Sequence, residues 1–292
     1  MTTAEKPGPG DGAASREAAV QALNELANAD RDRTRRDDRR KRAIRLATVV
    51  AIGVGFLALW QWATDTGLIH NFIAPSPTEI AAYLPELVTS SYFLDNLSVT
   101  LKELLIGFAI GVSAGFLLGV LVSVSSIARA GIVPYVLALN APPGIVFAPL
   151  FLTWFGFGMT SKIAMAVAGA FFPIFISTIA GLAEARNAEA DRLMRSLTAN
   201  ERQIFLKVRL PNAVPLIFAG IKLCWISAAI GVVVAEFIGA QAGIGFMVQS
   251  FNFQLDIPGV YSLILLLSVS TATVYWLLEF AERKWFSWGR LT

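Results

Sequence analysis

The chain has 292 residues, 55% of them apolar and 15% charged, with a mean hydropathy of +0.60. That balance excludes an ordinary soluble domain. The net charge of +3 would suit a nucleic-acid partner only if the basic residues were gathered on one folded face, and they are instead dispersed between apolar runs.

Residues 1–42 read as a disordered basic cytoplasmic tail: a Pro, Gly and Ala-rich start, a weakly helical 15–29, then the dense mixed charge of 30–42. The charged leader is too long for a signal peptide, so the block is expected to fix orientation and to touch anionic membrane lipid. Charge-free stretches then cover 46–64, 104–128, 130–161, 163–183 and 257–278, and 210–235 contains only Lys222. A helix crosses the hydrocarbon core with roughly 20 apolar residues. Six transmembrane helices are therefore expected, near 44–63, 100–124, 131–153, 162–182, 212–238 and 259–280. The fold class is an all-α membrane protein, since strands in lipid would need the alternating pattern of a closed barrel. The organisation is a first helix and outer segment over 43–99, a core of five helices over 100–285, and a short tail over 286–292.

The outer segment carries Pro75-Ser76-Pro77-Thr78-Glu79. Its prolines forbid a helix there, and Thr78 is placed to cap a short helix over 79–88. The second span has Gly107, Gly111, Gly115 and Gly119 on one face. They allow close helix approach, either within the chain or at a subunit interface. The third span is interrupted by Asn140-Ala141-Pro142-Pro143-Gly144, with Pro149 following. Such a break marks either part of a solute path or a plain kink.

Residues 183–210 form a polar island with ten charged side chains between two apolar spans. It reads as two short amphipathic helices, one with Leu193, Met194 and Leu197 on its apolar face, the other with Ile204, Phe205 and Val208. Thr198 and Glu201 match a capping box that would start the second helix at Ala199. The island is either a handle for a soluble partner or a hairpin resting on the membrane. Lys222 sits low in the fifth span, where it can snorkel, and Glu236 sits near its other end. Glu236 is either a gating group or a satisfied interfacial carboxylate. Gly243-Ile244-Gly245 permits a tight turn.

Of 24 Lys and Arg, 11 precede residue 46 and six lie in the island, whereas 65–99 and 239–258 contain none. The positive-inside rule then puts both termini and the island in the cytoplasm. The single Cys224 excludes an internal disulfide or Cys-based metal framework, and no Gly-rich phosphate loop is present.

Taken in order, several strings resemble the permease subunit of type I ATP-binding-cassette importers, in the nitrate, sulfonate, taurine and pyrimidine-precursor branch. They are Asn96 to Leu101, the run from Ala148 to Gly158, Phe172-Pro173-Ile174, Leu210 to Pro215, Ala219 to Lys222, and Ala235 to Ala240 followed by Gly243-Ile244-Gly245. The resemblance covers about 70–285. That family's coupling motif runs Glu-Ala-Ala, three residues, Gly, nine residues, Ile-x-Leu-Pro. Anchored on Leu210-Pro211, it places Arg192-Leu193-Met194 at the Glu-Ala-Ala, Thr198 at the Gly and Val208 at the Ile.

The resemblance implies an ATPase-coupling loop using Arg192, Leu193, Met194, Arg195, Leu197, Thr198, Ala199, Asn200, Val208, Leu210 and Pro211. It implies a translocation path or gate involving Pro142, Pro143, Pro149, Lys222, Glu236, Gly243 and Gly245. It further implies no enzyme activity, no cofactor in this chain, ATP bound by a separate ATPase subunit, an extracytoplasmic solute-binding protein, a homodimer, and residence in the bacterial inner membrane. A membrane-anchored scaffold or sensor without transport is the alternative. A membrane-embedded enzyme would need clustered His, Asp, Glu or Cys in the spans, which the sequence lacks.

Overall fold

The computed structural model describes residues 40–41 and 44–285. Of the expected tails at 1–42 and 286–292, all but residues 40–41, which are helical, lie outside the described residues. The chain divides into two units, at residues 1–68 and 69–292. The first contributes one described helix, α1 (Ile44–Asp65), which is apolar on every face and has almost no internal packing of its own.

The second unit holds the remaining helices: α2 (Pro77–Thr89), α3 (Ser91–Val124), α4 (Ser126–Asn140), α5 (Phe147–Phe155), α6 (Met159–Glu184), α7 (Ala188–Ser196), α8 (Glu201–Ile204), α9 (Leu210–Gly239), α10 (Ile244–Phe253) and α11 (Ile257–Trp285). No strand occurs among the described residues. Five helices are long and apolar enough to cross a membrane, and α4 with α5 makes a sixth if the bent pair counts as one span.

The sequence places these spans well, with two differences of extent. The second span starts nine residues earlier than expected, so α3 has 34 residues and runs about 51 Å. The connection between the fifth and sixth spans also holds an element that hydropathy does not reveal, the ten-residue α10.

α3, α6 and α9 form the core. In lipid there is no water to drive helices together, so association depends on close backbone approach. The glycine face of α3 supplies it within the chain: a Cβ on Gly111 would lie 2.7 Å from Val167 O, and one on Gly115 2.6 Å from Phe171 O. Around this seam pack Ala166, Ala170, Ile174, Cys224, Trp225 and Val232, all nearly inaccessible.

The third span breaks where expected. α4 ends at Asn140, α5 begins after a tight turn at Gly144–Val146, and the two halves are bent by 82°. Pro142 and Pro143 lack the N–H groups a continuous helix would use.

Two predicted caps move. Ser76, not Thr78, caps α2: its Oγ accepts from Glu79 N at 3.2 Å, while Glu79 Oε2 accepts from Ser76 N at 3.0 Å. Pro77 begins the helix instead of blocking it, because the first helical N–H needs no partner. In the island, Asn200 and Gln203 form the reciprocal box, so α8 begins at Glu201. Thr198 does not cap; it takes a left-handed conformation with φ 61°. A short side chain caps only from extended backbone, which Asn200 has and Thr198 lacks.

Candidate functional site

The polar island is a helix-turn-helix joined to the bundle at both ends. α7 is capped by Asn187, whose Oδ1 accepts from the N–H of Glu189 (2.9 Å) and Ala190 (3.3 Å). Glu189 and Asp191 in its first turn and Arg195 in its last complement the helix dipole. Leu193 and Leu197 are 62% and 67% exposed, Met194 is half-buried, and Ile204 is fully buried. The two predicted apolar faces thus differ: Ile204 of the second anchors the loop, and Leu193 and Leu197 of the first face outward. Arg192 and Arg195 of the same limb are also exposed.

Between Ile204 and α9 the chain widens into a π turn, Phe205–Arg209, closed by the Leu210 N–H donating to Phe205 O. Pro211 follows directly. Its ring crowds the carbonyl four residues back, and a wider turn relieves the clash. Val208, Leu210 and Pro211 are half-buried at this junction.

The opposite end of the bundle holds a buried polar cluster built on Glu236. Its Oε1 accepts from Thr100 Oγ1 (2.7 Å) and its Oε2 from Gly245 N (2.7 Å). Thr100 Oγ1 accepts from Ile244 N (2.8 Å), and Asn96 Oδ1 from Gly243 N (2.6 Å). The N–H groups of Gly243, Ile244 and Gly245, at the start of α10, are thereby satisfied by side chains from α3 and α9. The glycines are required by contact: a Cβ on Gly243, at φ 111°, would sit 2.3 Å from the Glu236 carboxyl carbon, and one on Gly245 2.4 Å from Val233 O. Glu236, Gly243 and Gly245 therefore act together.

Lys162, 1% exposed, reaches the same end and donates to Phe157 O (2.5 Å) and Gly239 O (2.7 Å). Glu103, 3% exposed, interacts with both Lys162 and Glu236. On the adjoining surface Tyr83 donates to Asp256, which also accepts from Gly259 N at 3.0 Å. Burial, helped by the carboxylates of Asp256 and Glu86, pushes the Tyr83 phenol well above its usual range, so it stays a donor.

Sequence reasoning missed Asn96, Thr100, Glu103 and Lys162 as members of this cluster. The one available signal was a lysine dividing two charge-free stretches at 130–161 and 163–183.

Pro142 and Pro143 line a cavity of about 530 Å³ at the α4–α5 break, which also touches Phe147, Phe172, Ser227 and Ile230. Its polar side chains are Asn140 and Ser227, and none of its lining residues is charged. Pro149, in the first turn of α5, is not in its wall. Neither is Lys222, which pairs with Glu282 at 2.7 Å and lies 5.7 Å from the Tyr275 ring centre. The predicted path residues thus fall into four places: the cavity, the first turn of α5, the buried cluster and an α9–α11 ion pair. Among the described residues no group of His, Cys, Asp and Glu is arranged to hold a metal ion.

Known proteins match this architecture. Residues 109–287 match the family described as binding-protein-dependent transport system inner membrane component. The chain is 30% identical over 80% of its length to a putative aliphatic sulfonates transport permease protein, SsuC, of Bacillus subtilis, covering 84% of that protein. It is 32% identical over 71% of its length to the formylaminopyrimidine transport permease protein ThiX of Halalkalibacterium halodurans, covering 83% of it. A probable ABC transporter permease protein of Haemophilus influenzae is 31% identical over 84% of this chain and 98% of its own length. Among solved structures, a chain of the MetNI methionine ABC transporter in inward-facing conformations superposes with a TM-score of 0.53 at 20% identity, over 64% of this chain and 90% of that one. This last likeness concerns the fold alone.

Proposed function

Because this chain belongs to the family of binding-protein-dependent transport system inner membrane components, and is a multi-pass ABC transporter permease, we propose that it carries a small solute inward by alternating access, driven by a separate ATPase. Membership implies an ATPase partner and a binding protein, and permeases are not themselves enzymes. ATP is held by the partner, and this chain contributes no cofactor. Two copies form the pore in the bacterial inner membrane, surrounded by lipid, with the island and both termini in the cytoplasm and the Glu236 cluster at the outer side.

The observation that carries the coupling role is the island's construction. It is a short helical lever, rooted in α6 and α9, that presents Leu193 and Leu197 to solvent on a limb that also exposes Arg192 and Arg195. Exposed leucines on a cytoplasmic loop suit a protein groove, and differential contacts in two nucleotide states would move the lever. A scaffold or sensor without transport is not favoured, since the permease relatives match most of the chain.

The solute is a small sulfonate-, taurine- or nitrate-like anion or a pyrimidine-like precursor. That range is supported by the relatives named for aliphatic sulfonates and formylaminopyrimidine. The cavity beside Pro142 and Pro143 is its path: irregular backbone at membrane depth persists where it is buried in protein or lines a water-filled space.

The test is reconstitution of the chain with its ATPase and binding protein in proteoliposomes, measuring ATP-dependent uptake of labelled taurine, nitrate and an aminopyrimidine. Uptake of one of them, lost on deleting 189–205 while membrane insertion persists, is the expected result. A cysteine at position 198 that reacts only from the extracytoplasmic side would overturn the orientation and with it the coupling role.

A further inference from the structure

We propose that Asp191 and Arg209 form the transmission strut of this permease, a buried ion pair that makes α7 and α9 move as one piece when the ATPase acts on the loop. The inference rests on the coupling role given above and goes beyond it by naming the groups that carry the motion.

The two residues lie on opposite limbs of the island, 18 positions apart, with Arg209 Nη2 at 2.5 Å from Asp191 Oδ2. Their side chains are only 17% and 16% exposed, whereas the neighbouring Arg195–Glu201 pair is 61% and 65% exposed. A pair this withdrawn from water is screened little and loses much on breakage, while the open pair contributes almost nothing.

Two polar links join α7 to the limb entering α9: this sheltered pair and the solvent-open Arg195–Glu201 pair. Otherwise the described hydrogen bonds of α7 are its own caps and turns. The left-handed residue at Thr198 permits a sharp reversal between the limbs, and so does nothing to stop them from swinging apart.

The π turn is the second independent observation. It ends on Arg209 itself. A π turn inserts extra backbone into the helix and rotates the residues that follow relative to those before it. Here that rotation accompanies an Arg209 guanidinium directed at α7, while Ile204 on the preceding turn stays fully buried. Asp191 Oδ1 and Arg209 Nε are buried and without hydrogen-bond partners, and the other carboxylate near Arg209 Nη2, Glu201 Oε2, is farther away at 3.9 Å, so Asp191 makes the short contact. At the loop's other root, Arg186 Nη2 donates to Ser123 O (2.9 Å), joining the end of α6 to the end of α3. A push on α7 would thereby reach α9 through the strut, and α3 and α6 through the root.

The test uses the complete transporter, with ATPase and binding protein, in proteoliposomes. It compares wild type, Asp191→Asn, Arg209→Gln and the charge exchange Asp191→Arg with Arg209→Asp. The primary readout is solute moved per ATP hydrolysed; the second is co-purification of the ATPase. The single variants should keep the ATPase bound and hydrolysing, yet move about tenfold less solute per ATP. The exchange should recover transport to within about threefold of wild type.

Single variants with an unchanged transport-to-hydrolysis ratio overturn the strut. So does loss of the bound ATPase in step with transport, which would make the pair a docking element. An exchange that inserts and binds ATPase but recovers nothing overturns it as well. If wild type itself shows no ATP-dependent uptake, it is the permease reading that fails, and the strut with it.

Discussion

The two ends of the helical bundle handle charge in opposite ways. At the Glu236 end, Glu103, Lys162 and Glu236 are each less than 4% exposed, and the bonded partners of Lys162 and Glu236 are the Phe157 and Gly239 carbonyls, the Gly245 N–H and the Thr100 hydroxyl. At the island end, most charged side chains are exposed, and just one pair, Asp191–Arg209, is drawn inward. Buried charge is tolerated only where every neighbour is fixed, so the first arrangement holds four helices in one geometry. Exposed charge around Leu193 and Leu197 leaves a surface able to exchange partners. The contrast is between an end made to stay in register and an end made to be handled.

The sharpest way to break the comparison is to remove Glu236. Glu236→Ala leaves Gly245 N without its acceptor, deprives Thr100 Oγ1 of one, and strips a nearby countercharge from Lys162. It should lower stability by about 3–5 kcal/mol, read as loss of folded protein in a thermal melt of the detergent-purified chain. No charge removal confined to the exposed part of the island should approach that figure.

Next comes the glycine seam. Gly115→Leu must displace Phe171 O and the Ile174 side chain, and should cost about 1–3 kcal/mol in the same melt. Thr198→Gly acts in the other direction. Relieving a β-branched residue from φ 61° should stabilise the turn by about 0.5–1 kcal/mol, seen as slower hydrogen exchange of amides 197–204. The smallest effect is expected at Arg195→Met. Its ion pair with Glu201 is open to solvent, so stability should change by about 0.5 kcal/mol or less in the same melt.

Most of the fold was legible in the sequence, for reasons tied to particular residues. Hydropathy places the spans because water is absent along them, and Pro142-Pro143 marks the break because proline cannot donate. The stripe from Gly107 to Gly119 marks the α3–α6 seam, though only the structure chooses the chain's own α6 over a second subunit. What escaped is long-range and polar. Lys162 bonds Gly239 O, 77 residues away, and a backbone carbonyl has no letter in a sequence. Asn96 and Thr100 look like ordinary polar residues beside a span until α9 turns back over them. α10 lacks charges and is too short for a hydropathy signal. At the island, the spacing located the loop and its two limbs. It misassigned the cap, because Thr198-Glu201 and Asn200-Gln203 both satisfy the pattern and backbone conformation alone decides between them. The strut was invisible for the same reason as Lys162: the π turn that aims Arg209 leaves no mark in spacing.

Thr198 bears on how chains of this kind are found. The hinge of the island asks for a left-handed backbone, and here a threonine supplies it while an ionic clasp holds the limbs on either side. A text search that insists on the letter G at this spot would pass over the chain. A search on torsion angles would retrieve it.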